Sequence, residues 1–312
     1  MVAYLIRRLW QMIPTLLGVV LLVFFLFKSF GGDPAEILGG MNASPEQIEA
    51  IRTQLGLNLP VWQQLAIFLK QIATFDWGKS WATNEPVAAM FLSRLPATLT
   101  VMGPILLLEV LLAIPLALLV AYRRGSLTDR AIMVVSTVAL SISLLVYVIV
   151  AQYLFAYRLG WFPVQGWSAS VWTNLASYAV LPVAVSAAVA LAPQTRLYRS
   201  FFLDEIGQDY VRTARAKGLP ERVVLLKHVL RNAMIPILTN VAVALPGVFV
   251  GSFLIEVFFS IPGLGREVLL AVNRSDYPVI QAVTIYLAMV TMAVNLLTDL
   301  LYKAVDPRVV LK

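Results

Sequence analysis

The sequence has no cysteine, and histidine occurs once, at His228. Disulfide frameworks, zinc fingers and thiol nucleophiles are thereby excluded. Multi-histidine metal sites and histidine relays have a single residue to draw on. Charge is scarce too: 13% of residues are charged, where a soluble domain has about 25%. Apolar residues make up 60% of the 312, and the mean hydropathy is +0.82. A chain of this length could bury a large core, but it has too little polar side chain to coat one. That excludes a soluble globular enzyme, a disordered tail and a fibrous repeat. It points to a polytopic membrane protein. The net charge is +7, and its placement says more than its sum.

Six stretches are long and apolar enough to cross a hydrocarbon layer as helices. They run near Leu9–Phe30, Ala97–Tyr122, Ala131–Tyr157, Ala176–Leu197, Met234–Val257 and Val279–Tyr302. None alternates with period two, so helices are expected rather than a membrane barrel. The first is too long for a cleaved leader, and no small-residue cleavage site follows it before Gly31-Gly32-Asp33-Pro34. Basic residues decide the orientation. Arg7 and Arg8 precede the first span, and Arg123, Arg124 and Arg130 follow the second. The fourth connection carries Arg196, Arg199, Arg212, Arg215, Lys217, Arg222, Lys227 and Arg231. The tail carries Lys303, Arg308 and Lys312. Those alternate segments hold 16 of the 24 basic residues. Both termini are therefore expected in the cytoplasm.

Two connections are long enough to fold. In the outer one, about 31–96, Ser44-Pro45-Glu46-Gln47 reads as a helix start. Ile48, Ile51 and Leu55 then share a face, and Gly56 can end the helix. Trp62, Leu65, Phe68, Leu69 and Ile72 form a second stripe. This region reads as a cap on the outer mouth, or as a docking surface for an external protein. The inner connection, about 198–233, is basic and helix-permissive. Two short helices are expected, near Asp204–Lys217 and Glu221–Arg231, with Gly218 and Pro220 as the break. Charge alone fits an ordinary positive-inside loop, but a mere connector rarely needs such length.

The segment Asp209-Tyr210-Val211-Arg212-Thr213-Ala214-Arg215-Ala216-Lys217-Gly218-Leu219, continued by Lys227-His228-Val229-Leu230-Arg231-Asn232-Ala233-Met234, resembles the cytoplasmic loop of importer-type ABC permeases. The match is specifically to the peptide branch, the B-type subunit of dipeptide and oligopeptide transporters. It extends along nearly the whole chain: Tyr4-Leu5-Ile6-Arg7-Arg8 through Ile13-Pro14-Thr15, Gly32-Asp33-Pro34, Leu55-Gly56-Leu57, Pro96-Ala97-Thr98-Leu99, Phe259-Ser260-Ile261-Pro262-Gly263-Leu264-Gly265, Asp276-Tyr277-Pro278-Val279 and Asp306-Pro307-Arg308. The general loop motif has Glu-Ala-Ala and, after three residues, Gly. Here Arg212, Thr213, Ala214 and Gly218 hold those positions, so an ion pair from the family glutamate cannot be carried over.

The resemblance implies an all-α membrane protein of the type I ABC importer (MetI-like) permease fold, in the bacterial inner membrane. It divides the chain into an N-terminal span at 1–30, a periplasmic cap at 31–96 and a permease core at 97–312, with the coupling loop at 198–233. It implies a homologous C-type permease, two cytoplasmic ATPases and an external peptide-binding protein as partners, besides membrane lipid and without nucleic acid. Arg212, Thr213, Ala214, Arg215, Ala216, Lys217, Gly218 and Leu219 would form the ATPase-coupling site. In that reading Ala214, Ala216 and Gly218 allow close approach, Leu219 gives an apolar tip, and Arg215 and Lys217 meet acidic rims on the motor. No cofactor is expected on this chain; ATP and magnesium would sit on the partner ATPases.

Catalytic motifs are not found. Trp77-Gly78-Lys79-Ser80 ends like a phosphate loop, but Ala73 stands where its first glycine would be. Gly263-Leu264-Gly265 lacks a third glycine at Val268. Asn42-Ala43-Ser44 and Asn273-Arg274-Ser275 match glycosylation acceptors and carry no weight in a bacterial context. Glu109, between Leu108 and Val110, is the outstanding charge within a span. It reads as a residue of the substrate path or as a structural glutamate between helices. Lys28 and Glu256, near span ends, are expected to snorkel. Asn240, Asn295 and Asp299 are expected to bond neighbouring helices. Pro104, Pro115, Pro182, Pro193, Pro236 and Pro246 read as kinks. The leading function is the permease subunit of an ATP-driven peptide importer. The same machine could carry a nickel chelate, glutathione or a modified peptide. A stand-alone channel or secondary transporter would need internal repeats and several buried charges. A membrane enzyme would need paired catalytic groups.

Overall fold

The computed structural model describes residues 2–40 and 43–305, with side chains described from residue 6 to residue 300. Asp306-Pro307-Arg308, Lys312 and Asn42 lie outside the described residues. The chain is helical. Helix α1 (Val2–Phe30) leads into α2 (Pro34–Gly39), α3 (Pro45–Gln54) and α4 (Val61–Ala73), which make up the cap. Next come α5 (Val87–Tyr122), α6 (Leu127–Leu140) and α7 (Leu144–Ala151), the last continued by a π-helical turn over Gln152–Arg158. A one-turn α8 (Val171–Thr173) and a π turn (Asn174–Tyr178) open onto α9 (Val180–Ile206). Then follow α10 (Asp209–Ala216), α11 (Glu221–Val223) with a π turn (Val224–Val229), α12 (Leu230–Val250), α13 (Phe253–Phe258), α14 (Leu264–Asn273) and α15 (Tyr277–Val305).

Among the described residues five helices are long and apolar enough to cross a membrane, and the bent pair α6–α7 makes a sixth candidate. The third expected span is broken where hydropathy shows no break: α6 and the following segment meet at 92°. The cause is local. Thr137 Oγ1 and Ser141 Oγ donate to main-chain carbonyls four residues back, and Ser143 Oγ accepts the Leu145 amide to start a new helix. Such side chains offer the backbone partners outside the helix ladder. The second span begins ten residues before the expected Ala97, at Val87. The second inner helix is not separate, since the chain stays helical from Glu221 into α12.

Helix α5 is the axis of the molecule. Val101, Ile105, Glu109, Ala113 and Ala117 recur at every fourth position and are all buried. The alanines let α9 approach closely, and α9 is the neighbour α5 touches most. Three apolar clusters lie along this axis. At the basic end, Ala117 and Ala121 meet Tyr198, Phe202 and Ala233. In the middle, Val101 and Ile105 meet Val148, Leu181 and Phe259. At the cap end, Val87 and Met90 meet Leu264, Val279 and Ala282.

The cap follows its sequence signals. Ser44 and Gln47 close a reciprocal capping box, with the Ser44 amide 2.9 Å from Gln47 Oε1. Helix α3 ends in a Schellman turn: Gly56, at φ +70°, donates to Thr53 and Leu57 donates to Arg52. Asp33 caps α2 and pairs with Arg52, whose guanidinium holds the carboxyl below the usual carboxylate range. Because that pKa is lowered on folding, the pair's contribution is complete above the ordinary carboxylate pKa and fades as pH falls through the lowered one. Amide exchange in α2 and α3 is therefore expected to quicken below about pH 4, and Arg52→Gln should remove that acid sensitivity.

Candidate functional site

At the basic end, α9 stops at Ile206 and the chain turns into α10. Asp209 in the first turn and Arg215 in the last complement the helix dipole. One face is apolar and sinks into the basic-end core: Val211 is fully buried and Ala214 is 5% exposed, packed among residues such as Phe202, Val224 and Val229. Ala214 is thus small because it packs inward, which corrects its expected place on a docking face. Arg212, Thr213, Ala216, Lys217, Gly218 and Leu219 are exposed.

The bend is set by the backbone. Gly218 has φ +74°, its amide donates to the Arg215 carbonyl at 2.9 Å, and the Leu219 amide donates to Ala214 at 3.3 Å. This is a Schellman closure, which places Leu219 just past the helix end. A Cβ on Gly218 would meet nothing within 4 Å. The glycine is required by its φ and not by crowding. Arg215 is engaged within the chain: its Nη2 lies 2.7 Å and its Nε 3.2 Å from the Glu221 carboxylate, a fork across the bend. Tyr210 donates to Glu205, and burial together with that carboxylate pushes its phenol up to about 12. The bend is therefore pre-formed, tied back to α9 and forward to the helical run that enters α12.

A second tie anchors the root of the bend. Asp129 at the start of α6 accepts two hydrogen bonds of 2.9 Å from Arg199 on α9, and a third of 2.8 Å from the Gly125 amide. The Asp129 side chain is 6% exposed. Arg199→Ala would strand that carboxylate and is expected to lower stability by about 3 kcal/mol. Arg199→Lys should cost less, since it keeps the charge but loses the fork. Thermal unfolding in detergent measures both.

Glu109 lies in the α5–α9 contact, 9% exposed, with its carboxyl facing the Gln194 side chain. Nearby, Tyr198 donates to Asn240 Oδ1 at 3.1 Å, joining α9 to α12. Asp299 pairs with Arg8 at 2.9 Å, joining α15 to α1. Both fit the expected bonding between neighbouring helices. Lys28 reaches Gln64 of the cap at 3.0 Å.

Glu256 does not snorkel. It is fully buried, and its carboxylate accepts from Thr98 Oγ1 at 3.0 Å and from the Arg266 amide at 2.7 Å. Thr98 in turn accepts the Leu264 amide at 2.8 Å. The side chain of α13 thus caps α14 and binds both to α5. Gly251, Gly263 and Gly265 line this hub, and a Cβ on any of them would come within 2.2–2.8 Å of an atom there. The sequence carried the signal, a glutamate amid three glycines, but not the fold that gathers them. Close by, Asp276 accepts from Ser80 Oγ at 2.5 Å and from the Trp81 amide at 3.0 Å. Ser80 therefore serves a latch between cap and α15. Among the described residues no three His, Asp or Glu side chains could hold a metal ion.

Residues 1–102 match the family described as "Binding-prot-dependent transport system membrane comp, N-term", and residues 113–311 match "Binding-protein-dependent transport system inner membrane component". The dipeptide transport system permease protein DppB of Alkalihalophilus pseudofirmus is 32% identical over 332 aligned residues, covering 99% of each chain. The glutathione transport system permease protein GsiC of Escherichia coli K12 is 35% identical over 309, again covering 99% of each. With both family regions present in order along almost its full length, the chain belongs to the binding-protein-dependent ABC importers of the bacterial inner membrane, as a multi-pass permease of their peptide branch.

Proposed function

We propose that this chain is the B-type half of a translocation pathway for dipeptides and oligopeptides, driven by ATPases that grip the bend at Arg212–Leu219. The observation that carries the proposal is the closed turn at Gly218. It presents exposed Leu219 between cations, on a support rooted in the basic-end core. A rigid knob outside the hydrocarbon is what a separate motor needs in order to push on a gate. The positive-inside rule puts this end, and with it both termini, in the cytoplasm. The cap then faces the binding protein, and a C-type permease completes the path. Magnesium and ATP belong to the motor.

The test is reconstitution of the chain with its neighbouring permease, ATPases and binding protein. ATP-dependent dipeptide uptake that is lost when the ATPases are omitted supports the reading. Uptake by this chain alone would reject it in favour of a channel or secondary transporter. Glutathione is the second cargo, favoured by the likeness to GsiC, and competition between it and a dipeptide separates the two. Glu109→Gln is expected to leave uptake unchanged, because the side chain sits within a helix contact. Altered preference for the charge of the peptide would place it on the path instead.

A further inference from the structure

A cavity of about 920 Å³ lies between the cap and the core, walled by α1, α2, α3, α4, the turn segment at 77–84 and the start of α15. That is the upper end of the size range of small-molecule pockets. We infer that it holds an anionic phospholipid, with an acyl chain on its aromatic floor and the headgroup between Lys28 and Lys79.

Position, lining and unspent hydrogen-bonding capacity all point the same way. The floor includes Phe24 and Phe27, in the last turns of α1, and Ala282, in the second turn of α15. These are the cap ends of two candidate spans, so the floor lies at the level where hydrocarbon meets headgroups. Phe68 and Ile72 of α4 extend the apolar wall above them. Of the charged groups on the wall, Asp33 and Arg52 pair with each other, which leaves Lys28 and Lys79. Asp33 is taken by Arg52 and by the Ala35 amide. Gln64 gives its amide to Leu57 and Leu59 and accepts from Lys28. Ser80 is held by Asp276. Lys28 keeps donors beyond its one bond, and Lys79 has no ion pair among the described residues. The excess positive charge on the wall suits an anion, and the aromatic floor suits a long apolar body. A lipid with an anionic headgroup has that chemistry, and the floor lies at the depth of the headgroups.

The test uses the full chain in nanodiscs cut from its own membrane, with phosphatidylglycerol or phosphatidylethanolamine carrying a diazirine in one acyl chain. Illumination should label Phe24, Phe68 or Ile72 with the anionic probe in preference to the zwitterionic one. Lys28→Gln with Lys79→Gln should lower that labelling about tenfold, while labelling of exposed Val134 and Val135 on α6 stays constant. Lys79→Gln alone, which breaks no bond to the cap, should show part of the effect. Equal labelling by the two probes overturns the inference, as does labelling that ignores both lysines. Displacement by millimolar inorganic phosphate or by a dipeptide also overturns it, because either would mean that the site reads the anion or the cargo and not the lipid.

Discussion

Glu256→Ala is expected to unfold the cap-end hairpin of α13 and α14 and to lower the stability of the chain by about 3–5 kcal/mol. Truncation strips the Arg266 amide and the Thr98 hydroxyl of their acceptor in a place that water does not reach. It also opens a void beside Gly251, Gly263 and Thr98, which close around the side chain. Glu256→Gln keeps the shape but turns an N–H toward one of the two donors, so an intermediate loss of about 1–3 kcal/mol is expected. Gly251→Ala should resemble the truncation by forcing the Glu256 carboxylate out of place while leaving that residue in the sequence. Its Cβ would stand 2.2 Å from Glu256 Oε1, on a backbone at φ +85° that disfavours any side chain. Melting in detergent and proteolysis at the cap face measure these effects. A parental melting temperature for Glu256→Ala would show that the buried carboxylate is dispensable.

The second large effect is expected at the bend. Leu219→Asp should leave insertion and melting near parental values, because the residue is 37% exposed, yet should cut ATP-dependent uptake by at least about tenfold, as the loss of an apolar hot spot does. At Gly218 the outcome should follow backbone geometry and not size. Gly218→Asn can hold a positive φ at modest cost and is expected to transport. Gly218→Val has free space for its side chain, but a β-branched residue resists φ +74°, so the knob should be misplaced and uptake lost. Retention of the ATPases on the purified complex, read beside uptake, separates failure to dock from failure to move. Equal uptake by the Val and Asn variants would argue against the bend as a shaped element.

What was legible in the sequence was local. The Ser44–Gln47 box and the ends at Gly56 and Gly218 each depend on residues within one or two turns. The break at Ser141–Ser143 is equally local but escaped, because hydropathy averages over the serines that cause it. The hub and latch at the cap end were out of reach for a different reason. Glu256 meets Thr98 across 158 positions and Asp276 meets Ser80 across 196. Pairs so distant have no spacing to recognise, and a glutamate near a span end reads by default as one reaching for water. Ala214 was misplaced because a small residue suits close packing equally well on either side of a helix.

The helical run from Glu221 to Val250 joins the bend to the opposite end of the molecule without an intervening loop. At 1.5 Å per residue it is about 45 Å long. Such a beam converts angle into stroke. Pivoted at one end, a tilt of about 5° carries its tip about 4 Å, roughly three quarters of a helical turn. Displacement at the far mouth is then governed by where the beam is pinned, and the half-buried Tyr198–Asn240 contact marks one such fulcrum.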